Sequence, residues 1–199
     1  MTPSLILASA SDIRARLLRD AGLAFEILPG RIDEEAVRQS LIAEGGKARD
    51  LADLLAELKA TKISDRRPEA RIIGADQVLE CDGRIFAKAE CIEEARAQLS
   101  FLSGKEHRLF SAAVVVEGGK PVWRHTGQVR LTMHALGPGE IDTYLTRTWE
   151  SVRHSVGCYK IEEEGVRLFS RIEGDFFHIL GLPLIELLTW LRIRGDIAP

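Results

Sequence analysis

The chain changes hydrophobic period abruptly near its start. In LILASASDIRARLL (Leu5–Leu18) an apolar run ends in small hydroxylated residues and gives way at once to a helical pattern. Leu5–Ala8 reads as a buried strand and Ser11–Ala21 as a helix, with Ile13, Leu17, Leu18 and Ala21 on one face and Gly22 as its stop. A strand-to-helix turn of small residues lets a ligand approach the backbone, and the unpaired N–H groups of a new helix attract anions. The first segment therefore raises the question of a phosphate.

The same switching between periods recurs along the chain. Phe25 and Ile27 alternate like a strand, LPGRIDEE (28–35) reads as loop, and KARDLADLLAELKATKI (47–63) carries Leu51, Leu54, Leu55 and Leu58 at helical spacing. RIIGADQVLE (71–80) reads as a strand, CDGR as a hairpin turn into IFAK, and Glu93–Leu102 as a helix closed by Gly104. RLFSAAVVVE and VWRHTGQVRLTM form two strands across GGK, and GPGEIDTYLT begins a further helix. The last elements are a strand around VRLFSRIEG and a helix from Leu182 to Arg194 with Pro183 in its first turn. Alternating strands and helices with inserted hairpins give an α/β class, a mixed sheet flanked by helices. There is no repeat, low-complexity tract or linker, and the nearest thing to a lobe boundary is the loop TWESVRHSVG (148–157). We expect one domain over residues 1–199, two-lobed with a central cleft.

Composition excludes several classes. With 27 Lys and Arg against 30 Asp and Glu the net charge is −3, which argues against a dedicated nucleic-acid binder while allowing a small anionic ligand. The longest apolar stretch, LPLIELLTWL, is too short to cross a bilayer, and the N-terminal apolar segment lacks the length and basic flank of a signal peptide. Three cysteines, Cys81, Cys91 and Cys158, are odd in number and widely spaced, so neither a disulfide framework nor a CxxC zinc site is indicated. The expectation is a cytoplasmic protein with reduced thiols. The five histidines share no metal-ligand spacing and are assigned to surface or core. No GxxxxGK[ST] or GxGxxG loop is present.

Three groups of residues carry the chemistry. Ser9 and the turn N–H groups can hold a phosphate oxygen, with Arg14 in the first helical turn to fork onto another; the plainer alternative is a capping Ser11 and a solvated basic face. Asp76, in GADQ at the end of an apolar strand, is costly to bury and borders a ligand crevice, as general base or metal ligand; it equally suits a turn in which it accepts from backbone donors. Glu34, Lys59 and Lys88 lie near element ends, and if they converged with Arg14 and Asp76 they would suit a metal–triphosphate complex.

Together LILASAS..R, GADQV, DGRIFAK, LSGKEH, EIDTYL and RIEGDFFHILGLPL resemble, in order and spacing, the Maf family of nucleoside triphosphate pyrophosphatases, and the likeness spans nearly the whole chain. It implies a Maf/ITPase-like fold and hydrolysis between the α and β phosphates to a monophosphate and pyrophosphate, with a divalent metal (Mg, Mn or Co). Asp76 falls on the family's general base; Ser9, Arg14, Glu34, Lys59 and Lys88 match positions facing the phosphates and metal, with Glu34 and Asp76 as metal ligands. The expected partner is the nucleoside triphosphate substrate, with no nucleic acid and no membrane; a homodimer is left open.

Three positions bear on the base. Members selective for thymidine and uridine triphosphates carry a second Arg, GADT and a Gln where this chain has Ile13, Gln77 and Glu162. That pattern resembles the subfamily acting on 7-methyl-GTP. A carboxylate accepts from both N1–H and the exocyclic amine of guanine, and it favours the positive charge of an N7-methylated ring. Asp12 and Ala89 stand where the family usually has Pro, and the run Glu162–Glu164 leaves the base-reading carboxylate open by one position. The alternatives are a pyrimidine-type (dTTP/UTP) or broad-specificity pyrophosphatase, and a nucleotide-binding regulator of cell division acting without turnover.

Overall fold

Why strands and helices alternate in this chain is visible in the computed structural model, which describes residues 4–197; the ends of the expected 1–199 domain lie outside those residues. The elements in order are β1 (Leu5–Leu7), α1 (Asp12–Asp20), β2 (Glu26–Ile27), α2 (Glu34–Ala43), α3 (Ala48–Ser64), β3 (Arg71–Cys81), β4 (Arg84–Phe86), α4 (Ile92–Leu102), β5 (Glu106–Glu117), β6 (Lys120–Met133), α5 (Pro138–Val152), β7 (Phe169–Glu173), α6 (Phe176–Ile179) and α7 (Leu184–Ile193). The sheet has seven strands in the order β2-β1-β3-β5-β6-β7, with β4 paired to β3. β1 runs parallel to both β2 and β3, whereas β3–β4 and β6–β7 are antiparallel. The mixed α/β class read from the sequence is the one observed.

The chain divides into two compact units. Among the described residues the first comprises 4–77, 110–127 and 176–197, and the second 78–109 and 128–175. Strands β3, β5 and β6 therefore pass from one unit to the other along their length. The expected boundary in TWESVRHSVG is corrected: α5 continues to Val152, and the whole 148–157 stretch belongs to the second unit. Tyr144, Thr148 and Val152 are buried at helical spacing, and the Thr148 hydroxyl donates to the Tyr144 carbonyl, so the threonine and Val152 extend the helix that their propensities alone would end.

Two further corrections have local causes. LPGRIDEE is loop only as far as Asp33, whose carboxylate accepts from the Ala36 N–H and caps α2. No residue of α2 is buried, so its sequence carries no apolar stripe to announce it. VRLFSRIEG is a 3₁₀ turn over Glu164–Leu168 before β7 begins at Phe169. The hairpin turn after β3 behaves as its Asp-Gly dipeptide requires, with Asp82 and Gly83 both at positive φ.

β3 is buried along nearly its whole length, and its first-unit part lies directly on α3. A Cβ on Gly74 would overlap the Ala56 carbonyl oxygen, so only glycine permits this approach. In the second unit His107 is 1% exposed, its Nε2 2.8 Å from the Tyr159 hydroxyl and its ring against Phe169. Burial pushes the His107 pKa down from 6.5 to about 4.

That depression has a sign. The unfolded chain takes up the His107 proton near 6.5 and the folded chain near 4, so stability is complete above the first value and falls as the pH drops toward the second. The loss expected is on the order of 3 kcal/mol. Urea unfolding at about pH 7 and about pH 4.5 checks it: the wild type should lose that much more stability between them than His107→Gln, which does not titrate. Equal losses would refute the assignment.

Candidate active site

The candidate residues of the first unit come from the turn after β1, from α1, α2 and α3, and from β3. Ser9 is buried in the turn after β1, where its Oγ accepts from the Ser11 N–H (3.3 Å) and from Arg14 Nη1 (3.1 Å). Arg14 is 8% exposed, and its guanidinium is firmly oriented: Nε donates to the Gly181 carbonyl and Nη1 to the Ala75 carbonyl, each at 2.8 Å. Burial pulls the Arg14 guanidinium below its ordinary value, while the negative charges of Asp76 and Glu34 pull it back up. The helical positions read as a free basic face thus resolve into one fixed arginine and two exposed ones, Arg16 and Arg19.

The carboxylates converge on a lysine. Lys59, on α3, is 8% exposed, and its Nζ lies 2.5 Å from Asp76 Oδ1 and 2.7 Å from Glu34 Oε1. Asp76 is 6% exposed, whereas the Glu34 side chain is about half exposed at the start of α2. Two glycines make the convergence possible. Gly74 lets β3 sit on the α3 backbone at Ala56, one turn before Lys59, and Gly30 lets the loop leading to Glu34 pack on the Lys59 carbonyl, which a Cβ would overlap. The turn reading of Asp76, in which it accepts from backbone donors, gives way to an ion pair.

Two anionic groups that reach one ammonium also reach one metal ion. Carboxylate oxygens are hard donors, the type that magnesium and manganese prefer, so Glu34 and Asp76 fit a divalent cation.

Gln77 points the other way, as strand alternation requires. Its Nε2 donates to the His178 and Ile179 carbonyls at 3.0 and 2.9 Å and to Ser111 Oγ at 3.0 Å, and Ser111 in turn donates to the His178 carbonyl at 2.6 Å. The segment around α6 is therefore tied to β3 through Gln77 and to α1 through Arg14. Ser111 was not singled out from the sequence; a buried serine in the apolar run RLFSAAVVVE is the signal that marks it. Ile13 is half-buried on α1.

The remaining two positions lie in the second unit. Lys88 is exposed in the loop after β4. Glu162 is half-buried, and among the described residues it is alone in the Glu162–Glu164 run in having no side-chain partner. Glu163 accepts from the Ser151 hydroxyl and from Lys160, and Glu164 pairs with Arg147. Among the described residues no helix is long and apolar enough to cross a membrane.

Residues 4–193 match the family model described as Maf-like protein. The chain is 54% identical over 197 residues to a nucleoside triphosphate pyrophosphatase of Ruegeria pomeroyi, covering 99% of each chain. It is 54% identical to nucleoside triphosphate pyrophosphatase 1 of a Jannaschia species over 98% of each chain. A 7-methyl-GTP pyrophosphatase of Mesorhizobium japonicum is 46% identical over 99% of each chain. With the family model matched from residue 4 to residue 193 and relatives at 54% identity over nearly their whole length, the chain belongs to the Maf family.

Proposed function

We propose that this chain hydrolyses the α–β phosphoanhydride of a nucleoside triphosphate, and that its preferred substrate is 7-methyl-GTP. The observation that carries the reaction is the meeting of Asp76, Glu34 and Lys59, supported by relatives at 54% identity named nucleoside triphosphate pyrophosphatases.

A triphosphate brings about four negative charges to an anionic base, so cations must offset them before water can be deprotonated. Lys59 supplies one, and Arg14 supplies a second through Nη2, the nitrogen its carbonyl bonds leave over. Ser9 and the N–H groups opening α1 receive phosphate oxygens. Lys88 adds a further cation by its place in the family pattern. Glu34 and Asp76 would hold the divalent metal, which when bound neutralises phosphate charge and polarises the P–O bond. Asp76 orients the attacking water and accepts its proton, the water oxygen bonds to the α phosphorus as the bond from that phosphorus to the bridging oxygen breaks, and pyrophosphate leaves with the electron pair.

The base preference rests on Ile13, Gln77 and Glu162 and on the 7-methyl-GTP pyrophosphatase at 46% identity. Glu162 is favoured over its neighbours because Glu163 and Glu164 already have partners. Replacing Glu162 by Gln turns one acceptor into a donor facing a donor, and should cost about 1–3 kcal/mol of discrimination. The measurement is pyrophosphate release from a panel of triphosphates with magnesium, manganese or cobalt, read as the ratio of kcat/KM for 7-methyl-GTP to that for UTP. The wild-type ratio should exceed one, fall in Glu162→Gln and stay put in Glu163→Gln and Glu164→Gln. A ratio below one in the wild type would favour the pyrimidine-type reading, and absence of turnover on every substrate would favour a binding protein.

A further inference from the structure

The geometry points to a second metal site in this protein, formed by His125, His178 and Glu186 and suited to a borderline transition cation such as Zn²⁺. The three come from β6, α6 and the first turn of α7, all within the first unit, and are separate from Asp76, Glu34 and Lys59. One nitrogen of each imidazole and one carboxylate oxygen lie within 4.8 Å of one another. Both rings turn Nε2 toward the same carboxylate: His178 is 3.2 Å from Oε2 and His125 3.6 Å from Oε1.

Those spacings are close to a coordination shell. Zinc–nitrogen and zinc–oxygen bonds of about 2.0–2.1 Å in a tetrahedron set ligand-to-ligand edges of about 3.3 Å. The two His–Glu distances, each to a different oxygen of Glu186, lie near that edge, so a small closing rotation of side chains that already share the carboxylate completes the shell. The ring planes are tilted at 46° with centroids 5.8 Å apart, so the two imidazoles are not stacked on one another.

The surroundings are arranged to hold the donors. A Cβ on Gly127 would overlap the His178 ring, so the strand leaves room for the imidazole by carrying glycine there. Trp123 stacks on His125 at an interplanar angle of 17°. The His178 carbonyl is anchored by Gln77 and Ser111. Two imidazoles and one carboxylate suit zinc, cobalt and nickel far better than magnesium, which demands oxygen ligands. With His125 and Glu186 each about one-third exposed, a fourth position opens to water or to a further ligand.

No spacing motif announces the cluster, because the three residues lie 53 and 8 positions apart. The site's role follows from its neighbours. Carbonyls of residues 178, 179 and 181 receive Gln77 and Arg14, so a cation on His178 braces the segment against which the arginine is held. The metal is structural, and its chemistry at this site is cross-linking α6 and α7 to β6.

The test uses the full-length chain stripped of metal. Titration with Co²⁺ should give the intense visible d–d absorption of a low-coordinate ion at one equivalent, and that band should persist in the Glu34→Gln/Asp76→Asn double variant. His125→Ala and Glu186→Gln, at partly exposed positions, should abolish the band and bind Zn²⁺ more weakly by on the order of a hundredfold, with the melting temperature of the metal-free protein unchanged. Zn²⁺ should raise Tm in the wild type and not in these two variants. A wild type without the band, a band surviving both substitutions, or one lost in the double variant would overturn the assignment.

Discussion

Asp76→Asn should lower kcat by about a hundredfold or more, the usual scale for loss of a general base, with little change in KM. Asparagine keeps the volume and one oxygen of aspartate, so it still accepts from Lys59 Nζ and leaves the packing of β3 on α3 intact. What it lacks is the basicity to take a proton from water. A melting temperature close to wild type, together with the lost turnover, separates this outcome from simple unfolding. Near-normal turnover would remove Asp76 from the reaction and leave the residue as a partner of Lys59 alone.

The second large effect is expected at Lys59. Lys59→Met keeps an unbranched chain along α3 and deletes the ammonium between two carboxylates at 2.5 and 2.7 Å. Two negative groups then face each other and an incoming polyphosphate with one cation fewer. We expect kcat/KM to fall by about a hundredfold or more, with KM and kcat both affected, because the charge acts in the bound substrate as well as in the transition state. Stability should fall too, since Asp76 is buried and loses its partner. Lys62→Met is the control on the same helix: Lys62 donates to the Arg31 carbonyl at an exposed position, and its loss should leave kcat/KM within about twofold. Equal behaviour of the two variants would mean that the ion triad has no part in turnover.

Both expectations begin in the chain and end in the fold. The residues at the site were legible from sequence as types and positions: Ser9 and Arg14 because a small-residue turn opens a helix, Asp76 because a charged group closes an apolar strand. Periodicity also gave α1, α3, α4 and β3 nearly to their ends, since each buries a continuous stripe or run. It failed at α2, which buries nothing, and at the end of α5, where Thr148 and Val152 are held in the helix by burial.

Local sequence determined which segments are strands and helices and which polar groups stand at their ends, because hydrophobic period and turn chemistry act over a few residues. Only the tertiary structure decided which of those groups meet. Lys59 reaches Asp76 across 17 positions because Gly74 and Gly30 allow backbones to touch α3, and no spacing rule records that contact. Arg14 is turned onto carbonyls 61 and 167 residues away, and His125, His178 and Glu186 gather from three elements without a motif. Such meetings are set by close packing between elements distant in the chain, and that information exists only once the chain is folded.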